Sequence, residues 1–171
     1  GYEVIGVHMK LHDTPERGLD DGPTKACCGL DDVLDCRRVA DRLGIPFYVM
    51  DLRQAFKKAV MDDFVKNYTK GWTPNPCIQC NGVLKFKVLL QRAKALGAEF
   101  LATGHYAQIS ENNVLEMAVD KKKDQSYFLF PITPDALKQT MFPLGGMTKV
   151  EVRAHAKRLG LSNASKPESQ D

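Results

Sequence analysis

A chain of 171 residues is long enough for one ordinary domain, and 43% hydrophobic with 26% charged residues is an ordinary globular balance. No apolar run approaches the roughly 18 residues that span a bilayer, and Gly1 to Lys10 has neither a basic n-region nor a cleavage site, so no membrane role and a cytoplasmic location are expected. A net charge of +3 is too small to announce a nucleic-acid module, and five cysteines, an odd number, argue against a disulfide scaffold.

In chain order, Val4, Ile5 and Val7 make Gly1 to Met9 a strand. Leu11 to Cys28 is polar, rich in Gly, Asp and Pro, and reads as a long loop holding the adjacent pair Cys27 and Cys28. Asp31 or Asp32 caps a helix carrying Val33, Leu34, Cys36, Val39, Ala40 and Leu43 on one side, with Cys36 read as a small buried hydrophobe and Gly44 as the stop. Ile45 to Met50 is a second strand. A helix with Phe56, Val60, Phe64 and Tyr68 at steps of four follows and ends at Gly71. Thr73-Pro74-Asn75-Pro76 cannot be helix interior, because two prolines remove donors and bias their neighbours to extended states. A third helix is expected from about Val83 to Leu96, closed by Gly97. Phe100-Leu101-Ala102 is a strand that runs into the turn Thr103-Gly104-His105-Tyr106, and Asn112-Asn113 joins two short runs as a hairpin. From Gln125 to Gly160 the pattern is helical, broken at Pro131, Pro134 and Pro143; the tail from Ser162 is polar and patternless. Strands alternating with helices predict an α/β fold with a parallel sheet, whose ligands sit outside the carboxyl ends of the strands. Met9, Asp51 and Gly104 fall at or just after such ends.

The segment with most chemistry is Cys77-Ile78-Gln79-Cys80. A rigid extended stretch delivers two thiols to the start of a helix, where unpaired N–H groups and partial positive charge lower a thiol's pKa. The plain alternative is two small buried residues in a loop. A metal site is the other competitor, since C-x-x-C is half of a zinc set or two thiolates of an iron–sulfur cluster. A closed zinc site would need Cys27 and Cys28, and adjacent cysteines are awkward ligands for one tetrahedral ion. His105, after a strand, either contacts a phosphate or base or is structural. Asp124-Gln125-Ser126 caps a helix on its bland reading, and Lys121-Lys122-Lys123 is on its own a solvated loop.

Together these segments resemble the tRNA-specific 2-thiouridylase family. The matching motifs are Gly6-Val7-His8-Met9-Lys10, Asp35 to Ala40, Gly44 to Tyr48, Thr73 to Asn81, Ala102 to Ala107, Lys123 to Leu129, Phe142 to Gly145 and Lys166 to Asp171, in order over nearly the whole chain. The resemblance implies an adenine-nucleotide α-hydrolase-like fold (PP-loop, Rossmann-like), with a partial ATP-pyrophosphatase domain over residues 1–119 and a small, mostly helical tRNA-binding region beginning over 120–171. It implies a tRNA-uridine 2-sulfurtransferase. ATP with Mg2+ adenylates the C2 oxygen of the wobble uridine, a sulfur nucleophile attacks C2, and AMP departs. Carried over by position, Cys80 is the sulfur-bearing nucleophile and Met9 and Gly104 contact ATP. Asn75, Pro76 and Cys77 embrace a target base taken out of its stack, and His105, Lys123, Asp124 and Gln125 contact tRNA. The partners implied are tRNA and a sulfur donor such as a cysteine desulfurase or a sulfur-relay protein.

The chain departs from the family pattern in several places. The phosphate-binding loop of Ser-Gly-Gly-Val-Asp-Ser-Ser type is expected before Gly1, with the first strand of the fold. The partner cysteine is expected after Asp171, and so are β-rich C-terminal domains. The chain as given is therefore not expected to complete turnover. Where many members carry Asp, this chain has Cys77, which opens two mechanisms: a persulfide on Cys80, or a [4Fe–4S] cluster held by Cys77, Cys80 and the third cysteine, with an open iron for sulfide. Two other readings stay open: a catalytically silent RNA- or metal-binding module, and another pyrophosphatase of the superfamily acting on a small molecule. The segments Asn75 to Asn81 and Lys123 to Leu129 speak against the last.

Overall fold

In the computed structural model, Gly6–Lys10 (β1) and Phe47–Asp51 (β2) pair in parallel, with Gly6 opposite Phe47 and Met9 opposite Met50. Parallel neighbours need a long crossover, and the helix Leu30–Leu43 lies within it. That helix stops as expected at Gly44, whose positive φ lets the Gly44 N–H bond the Asp41 carbonyl and the Ile45 N–H bond the Ala40 carbonyl. The structure describes residues 1–13 and 30–165, with residues 30 and 31 as backbone only. The Cys27–Cys28 pair and the motif from Lys166 lie outside the described residues.

The chain divides into two compact units, one drawn from Gly1–Gln54 and Arg153–Asp171, the other Ala55–Val152. In the first, the apolar face expected on Leu30–Leu43 is only narrowly used. Ala40 is buried, whereas Leu34 and Leu43 are exposed. Cys36 is exposed too, which corrects its reading as a buried hydrophobe; its sulfur lies 3.9 Å from His8 Nδ1.

The second unit holds a filled core of Phe86, Ala107, Leu129, Leu137 and Phe142, flanked by Leu101, Ile109, Leu115 and Ile132. Two helices lie between β2 and Leu101, and the second of them supplies Phe86 to that core. The one over residues 53–68 has wider π turns at Lys57–Met61 and ends at Gly71. The other covers residues 76–95: Pro76–Gln79, then π turns over Cys80–Leu89, then Leu90–Ala95. It starts seven residues earlier than expected. Pro76 stands at its first position, where a missing N–H costs nothing, and Asn75 caps it. Leu101–Ala102 (β3) pairs in parallel with Thr140–Met141 (β6), a strand that the helical reading of Gln125 to Gly160 missed. The rest of that stretch holds a 3-10 turn at Ser126–Leu129, a short helix at Pro134–Leu137 and a helix at Lys149–Arg158. Ala107–Ile109 (β4) and Leu115–Met117 (β5) form the expected antiparallel hairpin, with Asn113 at positive φ in its turn. Gly145 packs so tightly on β4 that a Cβ there would overlap the Ala107 carbonyl. The architecture is mixed α/β with parallel strand pairing in both units.

Candidate functional site

The start of the 76–95 helix is built by its cap. Asn75 is extended (φ −107°, ψ 106°), and its Oδ1 accepts the Cys77 N–H at 3.0 Å and the Ile78 N–H at 3.3 Å. Both thiols therefore ride on the first helical turns, Cys77 exposed and Cys80 half-buried. The electrostatics of Cys80 run against the expected lowering. Burial pushes its thiol pKa up and Cys77 adds to this, while the positive charge of Lys85 opposes. Desolvation outweighs the favourable helix end here. Beside the cap, Asp63, Asn67, Trp72, Asn75 and Gln79 line an open cleft in which Trp72 is 65% exposed. The Trp72 backbone N–H bonds the Asn67 carbonyl at 3.1 Å, which ties the main chain at Trp72 to the preceding helix.

The turn after β3 carries Gly104 and His105. A Cβ at Gly104 would meet only Leu144, at 3.7 Å, so the backbone is otherwise open there. His105 packs against Phe86 and Phe142, and both its nitrogens are engaged. Nε2 lies 3.3 Å from Lys85 Nζ and Nδ1 lies 2.7 Å from Thr103 Oγ1. An ammonium can only donate, so Nε2 accepts and the proton sits on Nδ1, which donates to Thr103. Burial, then the Lys85 charge, holds the His105 pKa down at about 4, so the imidazole is neutral at physiological pH.

Asp124 is not a helix cap. Its Oδ1 accepts the Ala118 N–H and its Oδ2 accepts the Ser126 hydroxyl, both at 2.7 Å, so it braces the hairpin exit against the following turn. Gln125 is locked to Tyr106 in both directions: its N–H donates to the Tyr106 carbonyl (2.8 Å), and its Oε1 accepts the Tyr106 N–H (3.0 Å). The segment Lys123 to Gln125 is thereby brought beside the His105 turn. From the helix, Asn81 is buried and donates from Nδ2 to the Phe128 carbonyl at 3.0 Å, joining the thiol-bearing helix to the same turn. Gly82 permits this approach, since a Cβ would come within 2.8 Å of Pro131 Cβ.

The structure thus gathers Cys77, Cys80, Asn75, His105, Asp124 and Gln125 within the second unit. Met9 stands on β1, half-buried, in the first. There Asp51, the other strand-end residue, is held well below the usual carboxylate range by hydrogen bonds from Arg53, and Arg53 also pairs with Asp13. Three further residues belong to the site: Thr103 and Asn81, which lie inside the motifs Ala102 to Ala107 and Thr73 to Asn81 without an expected role, and Lys85, which no motif includes and only the fold brings there. Among the described residues no group of three or more His, Cys, Asp or Glu gathers as a metal site. Cys77 and Cys80 supply two thiolates of the three or more that a cluster needs.

The family model described as tRNA methyl transferase HUP domain matches residues 1–171, the whole chain. The chain belongs to this family. Among curated proteins it is 49% identical over 176 residues to the tRNA-specific 2-thiouridylase MnmA of Geobacter metallireducens, covering 100% of this chain and 48% of that protein. It is 46% identical to the protein of the same name from Corynebacterium aurimucosum, over 100% of this chain and 47% of the relative. The chain spans about half the length of the curated relatives it matches. Membership of the family agrees with the parallel α/β architecture. No helix among the described residues is long and apolar enough to cross a membrane.

Proposed function

We propose that this chain is the larger part of the catalytic half of an ATP-dependent tRNA-uridine 2-sulfurtransferase acting on the wobble uridine. The observation that carries the reading is the pair Cys77 and Cys80 on the first turns of a helix capped by Asn75, in a chain matching proteins named 2-thiouridylase along its whole length. Cys80 supplies or holds the transferred sulfur. Gly104 and Met9 contact ATP, which with Mg2+ activates the uridine by adenylating its C2 oxygen. Asn75, Pro76 and Cys77 embrace the target base. Lys123, Asp124 and Gln125, with His105, face the tRNA. The locked Gln125–Tyr106 exchange supports a single recognition surface there, because it fixes two of those segments against one another. A sulfur donor such as a cysteine desulfurase or relay protein completes the set, in the cytoplasm. The division into residues 1–119 for activation and 120–171 for the beginning of the tRNA-binding region belongs to the same proposal.

The direct test is Cys80→Ala in the full-length protein. Thiolation should vanish while tRNA binding stays close to wild type. Retained thiolation overturns the assignment of the sulfur to Cys80.

The exposed Cys77, one helical turn before Cys80, favours a second reading in which the two thiolates join a third cysteine on a [4Fe–4S] cluster. The described residues do not complete that set. Anaerobic purification with iron and acid-labile sulfide analysis, beside Cys77→Ala, separates the readings. About four iron per chain, lost in the variant, would establish the cluster. No iron, with thiolation surviving in the variant, would return Cys80 to the persulfide role.

A further inference from the structure

Lys85, bonded to His105 within the site, is the cation nearest the proposed sulfur-bearing Cys80 on its own helix. The π turns from Cys80 to Leu89 are closed five residues back, as the Leu90 N–H bonding the Lys85 carbonyl shows. In that register residues five apart lie on one side of the helix, so Lys85 follows Cys80 around the wider turn. Its charge is near enough to act on the Cys80 sulfur. Its head group makes one hydrogen bond, to the neutral His105 imidazole, and no carboxylate among the described residues pairs with it. Lys57 and Lys138, by contrast, lie against Asp62 and Asp135.

A half-buried ammonium beside a neutral partner is costly unless an anion completes it. Two groups neighbour the ammonium: Cys80, on whose sulfur its charge acts, and His105, whose chain neighbour Gly104 is the backbone that the proposed function sets against the nucleotide. The imidazole, clamped between Thr103 and Lys85, holds the ammonium in that position.

We infer that Lys85 binds the phosphate of the adenylated uridine and carries the charge that develops as AMP leaves. The inference rests on the adenylation reading above. In that step the sulfur brings an electron pair to C2 and forms the C–S bond. The C2–O2 bond breaks, its pair goes to O2, and O2 departs as a phosphate oxygen of AMP with one more negative charge. A fixed cation at that oxygen stabilises the transition state more than the ground state. Thr103 and His105 act through Lys85 as positioning residues.

The test uses the full-length enzyme, first loaded with sulfur by a cysteine desulfurase and cysteine, then given ATP and tRNA in single turnover, following AMP and thiolated tRNA. Lys85→Met should slow AMP release by about 100-fold, the usual loss of one such donor, with the Kd for tRNA within about 3-fold of wild type. Lys85→Arg, which keeps the charge and is tolerated more easily by the fold, should recover about 10-fold of that loss, with the remaining deficit in the maximal single-turnover rate and not in the ATP concentration that half-saturates it. Lys87→Met, an exposed lysine on the same helix, should stay at the wild-type rate. Wild-type AMP release in Lys85→Met, or an equal loss in Lys87→Met, overturns the inference, as does a deficit in Lys85→Arg confined to the half-saturating ATP concentration. A sulfur-loaded wild-type enzyme that thiolates tRNA but forms no AMP from ATP overturns the adenylation reading instead, whatever the variants do.

Discussion

The two compact units use their apolar side chains differently. Among the described residues the buried hydrophobics of the first unit are Ala40 and Leu52, whereas Val60, Leu84, Phe86, Leu89, Leu129 and Phe142 are among those of the second. In the first, Val7, Tyr48 and Val49 stand exposed on the parallel pair itself. Parallel strands are ordinarily covered on both faces, and two strands alone make a marginal structure. In the second, the thiol-bearing helix, the His105 turn and the Gln125 segment all hang on elements anchored in a closed core. The contrast teaches where precision resides. A sulfur and a base must be held to fractions of an ångström, and Cys80 and the Asn75 segment proposed to hold them stand on the better-packed unit, whereas Met9, proposed to contact ATP, stands on the other.

That contrast can be broken by measurement, and the sharpest attempt is in the core. Leu129 is fully buried, so Leu129→Ala should cost about 2–5 kcal/mol, read from urea unfolding. A loss under about 1 kcal/mol would mean that the second unit is not the rigid one. Next comes acidification. His105 protonates near pH 4 in the folded state against an ordinary 6.5, so below 6.5 the unfolded chain takes up a proton that the folded chain refuses. The neutral imidazole's contribution is complete above pH 6.5 and drains away as the pH falls toward 4, by about 1–3 kcal/mol. Urea midpoints at neutral and acid pH should therefore fall further in wild type than in His105→Asn; parallel losses would show that His105 is not held neutral by the fold. Asn75→Ala removes two accepted N–H bonds at the helix start and should cost about 1 kcal/mol. The same variant should speed alkylation of Cys80 by loosening the first turn; unchanged stability and reactivity would place the positioning of the thiols elsewhere. The smallest effect is expected on the open sheet. Val49→Ala, at a side chain 42% exposed, should stay within about 0.5 kcal/mol, and a loss as large as that of Leu129→Ala would erase the difference between the units.

What could be read from the residues follows the range of the interactions involved. Helix stops at Gly44, Gly71 and Gly97 were legible because a positive φ is a local demand that glycine meets. The hairpin around Asn112-Asn113 was legible for the same reason. The thiol-bearing helix starts before the expected Val83 because a proline that breaks a helix interior suits its first position, which Pro76 occupies, and Asn75 supplies the cap. β6 went unseen: two residues cannot show a period, and Thr140–Met141 is a strand only because β3 lies beside it. At the site, Cys77, Cys80, His105 and Gln125 stood out through motif. Lys85 did not, since a reading at 3.6 residues per turn sets positions five apart on different faces. The expected acidity of Cys80 failed because a helix end can be counted along the chain and burial cannot.

The wider turns between Cys80 and Leu89 also bear on how this stretch can vary in length. The span from thiol to ammonium holds one residue more than an ordinary helical turn closes. Deleting one residue between them lets the helix close four residues back and still keeps the two groups on one side. Inserting one pushes the ammonium past the end of even the wider turn. Among relatives, this turn should accept shortening and resist lengthening, an asymmetry set by helical geometry and not by the chemistry of either group.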